Sequence, residues 1–280
     1  MESRIHKEPK GWGIQLINAA VLGSPIAHSL SPLIHSLAYE YLGVAAHYEA
    51  IEVNAGGLTK FLDQTDKNCL SLTMPLKEEA MKVADVISDV ATQISCGNTL
   101  SLNEGVWSLT STDVSGFDNA LKMHGIDTVD SVLIIGAGAT ARAAMASVSA
   151  ITKSVSVVSR NSEREAAINK ASGINVSYLP WKLTDEINDA DLVINTTPNQ
   201  AADFFLSGID KPRGTLFEVL YHPWPTAISS AWSKTQAQVI DGLDLLIHQA
   251  IAQVEIFSGV ACDRDNLYTK MREAAVQKLA

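Results

Sequence analysis

The feature that most restricts this chain's fold is a short apolar run, Ser131–Ile135, that ends directly in Gly136-Ala137-Gly138-Ala139-Thr140-Ala141. Gly136, Gly138 and Ala141 match the spacing G-x-G-x-x-A, and Arg142–Ala150 beyond them reads as a helix. In a strand–turn–helix of this kind the first glycine permits the tight turn and the second lets backbone approach a pyrophosphate. The third small residue lets helix and strand pack closely, and the helix N-terminus supplies N–H donors and partial positive charge. The bland alternative is a tight βα turn that holds no ligand. Strand-like runs then recur at Ser154–Val158, Asn175–Leu179, Leu192–Asn195, Leu216–Val219 and Val239–Ile240, a doubly wound pattern beginning near Asp130.

The end of the second strand of this unit bears on which dinucleotide would fit. An NAD-preferring unit places Asp or Glu about 20 residues after the glycines, on the ribose 2′-hydroxyl. Here the strand ends in Ser159-Arg160-Asn161, with Arg164 one turn later and no carboxylate at the tip. Two guanidiniums suit a 2′-phosphate through forked, charge-assisted hydrogen bonds, so NADP is the expected cofactor. A solvated arginine pair opening a helix is the alternative.

Strands also alternate with helices upstream, at about Ala19–Gly23, Ala46–Val53, Leu70–Thr73, Thr99–Leu102 and Val106–Leu109. Helices are expected from Pro32 and from Pro75 to about Ile87, each with proline in its first turn, where the missing N–H costs nothing. The whole reads as α/β layers with a largely parallel sheet. Val114–His124 and Gly125 read as the crossing between units. After Gly242 come two long helical stretches, about Leu243–Phe257 and Arg264–Leu279, which could return to the first unit.

Composition narrows the partners. A length of 280 residues suggests two domains, and a net charge of −10 argues against a nucleic-acid partner. No window reaches the roughly 18–20 unbroken apolar residues of a membrane span, and Met1–Lys10 carries charges where a secretion signal needs an apolar core, so a cytoplasmic location is expected. Cys69, Cys96 and Cys262 have no C-x-x-C spacing and read as free thiols. His28 and His35 lack a third ligand nearby and read as a loop and a helix histidine, so no metal is expected.

Polar clusters fall at element ends in the first half. Ser29-Leu30-Ser31-Pro32 opens a helix, where Ser31 could be an N-cap and the two hydroxyls could also suit a small carboxylate. Ser71-Leu72-Thr73-Met74-Pro75-Leu76-Lys77 ends a strand and would put Lys77 in a first helical turn, where the dipole disfavours a cation and Glu78 and Glu79 partly offset it. Asn98 precedes a strand, and Asp113 precedes a helix that it could simply cap.

Together Gly23-Ser24-Pro25-Ile26-Ala27-His28-Ser29-Leu30-Ser31-Pro32, Thr73-Met74-Pro75-Leu76-Lys77-Glu78-Glu79-Ala80, Asn98-Thr99-Leu100, Thr112-Asp113, Gly242-Leu243 and Gln249-Ala250 resemble the shikimate dehydrogenase family in order and spacing. The resemblance covers nearly the whole chain. It implies reversible, NADPH-dependent reduction of 3-dehydroshikimate, with a substrate domain at 1–113, a Rossmann-like NADP domain at 114–241, and C-terminal helices at 242–280 packing back on the first. By position it implies that Lys77 and Asp113 form the catalytic pair, that Ser29 and Ser31 bind the substrate carboxylate, and that Thr73, Asn98, Tyr221 and Gln249 hold its other polar groups. Gly136–Ala141, Ser159, Arg160, Asn161 and Arg164 would bind the nucleotide, with Val219 and Gly242 at the nicotinamide end. A monomer or homodimer is expected.

The chemistry wants these residue types. Hydride delivery to a ketone builds negative charge on oxygen, and a lysine beside a carboxylate can meet that charge and give up a proton without a metal. Several positions depart from the family pattern. Ser71 and Ser111 stand where Asn is usual, which could loosen the pocket or admit a related ring. Asn161 replaces Thr, and Asp244 replaces Gly. The alternatives are a dehydrogenase for quinate or an amino analogue, and a catalytically silent dinucleotide-sensing module.

Overall fold

A computed structural model describes residues 16–280, so Met1–Lys10 and the start of the expected 1–113 unit lie outside the described residues. Two six-stranded sheets are built from successive halves of the chain.

The first sheet holds β1 (Ile17–Gly23), β2 (Ala46–Glu52), β3 (Cys69–Leu72), β4 (Val86–Ile87), β5 (Thr99–Asn103) and β6 (Val106–Thr110), in the order β2-β1-β3-β5-β6-β4. β1 runs parallel to β2 and β3, but β5 is antiparallel to both β3 and β6, so this sheet is mixed rather than largely parallel. The connection explains part of this: Glu104 and Gly105 both have positive φ, 51° and 82°, and form a two-residue hairpin turn that can only join antiparallel strands. α1 (Ser31–Leu42) carries Pro32 in its first turn and stops at Gly43, whose φ is 65°. α2 (Leu58–Gln64) and α3 (Asp89–Ile94) are short.

The helix expected over Pro75–Ile87 does not form. Only a single 3-10 turn, Glu79–Lys82, appears before the chain joins the sheet edge as β4. Polar partners elsewhere claim this segment. The Lys77 carbonyl accepts the Gly97 N–H at 3.0 Å, and the Glu79 carboxylate accepts the N–H groups of Gly56 and Leu58 at 2.8 and 2.9 Å. The backbone N–H groups of Asp85 and Ser88 donate to the Trp107 and Leu109 carbonyls, each at 2.9 Å. Lys77 therefore sits in an isolated turn closed by the Ala80 N–H on the Leu76 carbonyl at 3.0 Å, with no helix behind it, and Glu79 secures a neighbouring loop instead of offsetting a dipole.

α4 (Asp113–Met123) carries the chain to the second sheet. There β7 (Val132–Ile135), β8 (Val155–Val158), β9 (Val176–Leu179), β10 (Leu192–Asn195), β11 (Thr215–Glu218) and β12 (Val239–Ile240) run in the order β12-β11-β10-β7-β8-β9. Every pair is parallel, with the strand order reversing at β7, the arrangement of a doubly wound nucleotide fold. β7 and β10 are buried along their whole length, as their continuous apolar sequence requires in a sheet covered on both faces. α5 (Ala139–Val148), α6 (Glu165–Ala171), α7 (Glu186–Asp189) and α8 (Ala227–Ser233) complete this half.

α9 (Gly242–Ser258) and α10 (Arg264–Leu279) follow. Leu243, Ile247, Ile251 and Val254 of α9 share a core with Ile17, Ala19 and Ile34, and Leu267 and Met271 of α10 join it, so both helices lie against the first sheet. α4 packs along α9 at Gly116, where a Cβ would stand 3.1 Å from that of Gln249. Asp244 anchors this crossing: buried, it accepts hydrogen bonds from Arg272 at 2.6 Å and from Tyr268, and it pairs with His124 at 2.7 Å. Among the described residues no helix is long and apolar enough to cross a membrane.

Candidate active site

Strand ends from both sheets border two adjoining cavities of about 660 and 520 Å³. Thr73, Met74, Lys77, Thr140 and the Thr196-Thr197-Pro198 turn line both, so Lys77 stands where the cavities meet.

The larger cavity takes its floor from Gly136–Thr140. Gly136 has φ 113°, and a Cβ there would fall 2.4 Å from Thr196 Oγ1, so the turn demands glycine on two counts. Gly138 is the N-cap of α5, whose first residues are Ala139 and Thr140. Ala141 does not border the cavity; it is buried in the core with Val132 and Val157, a packing role. Ser159, Arg160, Asn161, Arg164 and Trp181 form the far wall. Both guanidiniums are exposed. Arg164 Nη1 lies over the glycine turn, 3.6 Å from where a Gly138 Cβ would be, and Arg160 lies over the Trp181 ring at 5.3 Å. The Asn161 side chain accepts the Glu163 N–H at 2.9 Å, which caps the turn leading to Arg164.

The smaller cavity is lined by Ser29, Ser31, Asn98, Asp113, Val219, Tyr221, Gly242 and Gln249, from both halves of the chain and α9. Lys77 Nζ donates to Asp113 Oδ2 at 2.5 Å. Asn98 Nδ2 donates to Asp113 Oδ1 at 2.9 Å and to Gln249 Oε1 at 3.1 Å, while its Oδ1 accepts the Thr112 N–H at 2.8 Å. Asp113 is only 4% exposed, so its carboxylate is committed to these partners. It is the first residue of α4, not a side-chain cap. Ser31 likewise is no cap: it begins α1, and its N–H is accepted by Ser29 Oγ at 3.2 Å. A Cβ on Gly242 would collide with the Val219 carbonyl at 2.2 Å, so glycine lets α9 start against the end of β11. Burial pushes the Tyr221 hydroxyl pKa up. The rings of His28 and His222 stack at 5.8 Å on the cavity border, whereas His35 is buried in α1 against Tyr48.

Two polar residues that tie the site together, Gln253 and Arg142, escape the sequence reading. Gln253 is buried, accepts a hydrogen bond from Ser71 Oγ at 2.8 Å, and donates to the Asn98 carbonyl at 2.9 Å; its signal is its place one turn after Gln249 on the same helix. Ser71 also accepts the Tyr48 hydroxyl at 2.6 Å, so the shorter side chain is tied into the floor instead of loosening it. Arg142 has the look of an ordinary helix arginine. It is buried, with Nε donating to the Ile94 carbonyl at 2.6 Å and Nη2 to Glu78 at 2.7 Å, joining α5 to the segment beside Lys77. Among the described residues no three His, Cys, Asp or Glu side chains converge as metal ligands would.

Comparison with known proteins places this geometry among relatives. Residues 21–100 match the shikimate dehydrogenase substrate binding domain, and residues 119–204 match the family described as shikimate / quinate 5-dehydrogenase. A shikimate dehydrogenase (NADP(+)) of Ignicoccus hospitalis is 30% identical over 266 residues, covering 90% of this chain and 97% of the relative. Among solved structures, the shikimate dehydrogenase of Mycobacterium tuberculosis superposes with a TM-score of 0.82 at 31% identity, over 91% of this chain and 99% of the other. Shikimate 5-dehydrogenase of Thermus thermophilus, in complex with NADP(H) and shikimate, gives 0.79 at 29% identity, over 92% and 99%.

Proposed function

The chain belongs to the shikimate dehydrogenase family, and on that footing we propose that it reduces 3-dehydroshikimate reversibly to shikimate, as an NADP-dependent oxidoreductase acting on a CH–OH group. One observation carries the reading: Lys77, 2.5 Å from a buried carboxylate, stands where a glycine-floored cavity meets a second one lined by hydroxyls and amides.

The larger cavity fits the nucleotide. Its turn has no room for a side chain at Gly136, a helix begins at its floor, and two exposed guanidiniums face it in place of a carboxylate. Gly136–Thr140 would hold the pyrophosphate and Ser159, Arg160, Asn161 and Arg164 the 2′-phosphate end, while the nicotinamide end would reach into the smaller cavity against Val219 and Gly242. When bound, NADPH supplies a hydride to the ketone carbon. Lys77 then meets the negative charge developing on the ketone oxygen and gives it a proton from Nζ. In the reverse direction the same nitrogen takes up the hydroxyl proton. Asp113 keeps the ammonium aimed, and Asn98, itself held by Gln249, fixes the carboxylate so that no reorganisation is needed during reaction.

Ser29 and Ser31 would bind the substrate carboxylate at the start of α1, and Thr73, Asn98, Tyr221 and Gln249 its hydroxyls. Each polar group left unsatisfied in a closed site costs about 1–3 kcal/mol, which accounts for the polar density there. In this reading 1–113 is the substrate domain and 114–241 the NADP domain, while 242–280 returns to the first; the core shared by α9, α10 and β1 supports it. A cytoplasmic monomer or homodimer is part of the same proposal, and the net charge of −10 argues against a nucleic-acid partner.

The test is to mix the purified protein with NADPH and 3-dehydroshikimate and follow nicotinamide absorbance, with NADH and quinate in parallel arms. The expected result is oxidation of NADPH by 3-dehydroshikimate in preference to the other combinations. No turnover of 3-dehydroshikimate with either cofactor would overturn the proposal.

A further inference from the structure

The wall that carries Arg160 has a second layer. In the parallel register of β8 and β9, Val158 pairs with Leu179, and two residues beyond each partner stand Arg160 and Trp181. The Arg160 guanidinium carbon lies 5.3 Å from the Trp181 ring centroid, within range of a cation–π contact, and both residues border the larger cavity. Trp181 is itself fixed: its ring meets Phe205 edge-on at 5.0 Å and 68°, and Phe205 is buried in the core beneath β7, β10 and β11.

From this stack of core, Phe205, Trp181 and Arg160 we propose that Trp181 is a positioning residue for cofactor choice, holding the Arg160 guanidinium ready for the 2′-phosphate of an NADP nucleotide. An exposed arginine at a strand tip samples many rotamers, and ordering it on binding costs affinity. The indole face restricts that sampling while leaving the guanidinium N–H donors, which lie in its plane, free for a phosphate. A carboxylate in place of Trp181 would have used both the donors and the charge. The inference rests on the assignment of Arg160 to the 2′-phosphate.

Calorimetric titration with adenosine 2′,5′-bisphosphate and with 5′-AMP tests both layers without turnover. Trp181→Leu is expected to weaken bisphosphate binding about two- to fivefold, the range of an exposed cation–π contact, and to leave 5′-AMP unchanged. Trp181→Phe should restore most of the loss. Arg160→Ala should weaken the bisphosphate further, and adding Trp181→Leu to it should then have no additional effect. If Arg160→Ala leaves bisphosphate binding intact, the assignment of Arg160 fails. If Arg160→Ala weakens it but Trp181→Leu does not, or if Trp181→Leu weakens both ligands equally, the positioning role fails while the assignment stands. Trp181→Met reads the same outcomes should the leucine variant not fold.

Discussion

The two cavities differ in how they hold their polar groups. In the smaller one Asn98, Asp113, Gln253 and Ser71 are buried and bonded to one another, so the geometry is set before any ligand arrives. In the larger one Arg160, Asn161 and Arg164 are exposed on a loop, above a glycine turn that is tightly constrained. The buried side can aim a proton at one atom, because fixed dipoles in a dry site act without reorganisation. The exposed side discriminates mainly through charge at its surface, which water and salt weaken.

Four measurements test that contrast. The largest effect is expected on the buried side: Lys77→Ala should lower kcat by about 10²–10⁴ with a far smaller change in substrate KM, since the lysine acts on charge that develops in the transition state. A fully active alanine variant would remove the lysine from the mechanism.

A second measurement probes the cost of burial behind the same cavity. His35 is fully buried, and desolvation lowers its pKa from 6.5 to about 3 against a smaller opposing effect of the neighbouring Gln253 side chain. Between those values the unfolded chain binds a proton that the folded chain refuses, so stability falls as pH drops through 6.5 toward about 3. At pH 5 this costs roughly 2 kcal/mol relative to neutral pH. His35→Phe should therefore lose less stability than the parent between pH 7.5 and pH 5, measured as urea midpoints. His248, lowered to about 4 by burial, titrates equally in both proteins and serves as the internal control. Equal slopes would mean that His35 is not held neutral.

The exposed side is expected to respond less. Replacing Arg160 and Arg164 together with Ala should shrink the preference for NADPH over NADH by about tenfold, since charge-assisted contacts to phosphate are worth ~1.5–3 kcal/mol when shielded and less when exposed. A parent that already used NADH as well as NADPH would refute the 2′-phosphate argument. The smallest effect is on salt: raising ionic strength should weaken NADPH binding by a few-fold in the parent, and much less in the double variant. An equal response in both would show that these two charges do not govern recruitment.

The same contrast separates what is readable in the chain from what is not. The second half is legible nearly strand by strand, because its central strands, covered on both faces, are written as apolar runs between turns, Val132–Ile135 throughout and Leu192–Asn195 up to its last residue. The first half is less so. Leu76 and Ala80 suggest a helix from Pro75, but they serve the first sheet's core from a turn whose backbone is held by Gly97 and by the sheet edge.

Neighbouring residues decide the local matters: which runs are strands, that Gly136 and Gly138 make a turn suited to a phosphate, and that the tip of β8 carries guanidiniums and no carboxylate. These depend on residues within a few positions of one another, where propensity and spacing act. Only the packed chain settles that Lys77 meets Asp113, that Asn98 reaches both Asp113 and Gln249, that Gln253 ties Ser71 to the site floor, and that Arg142 is buried between the two halves. Most of those contacts join residues tens to more than a hundred positions apart. No periodicity encodes them, because whether a polar side chain is solvated or satisfied inside depends on which distant partner the packing delivers.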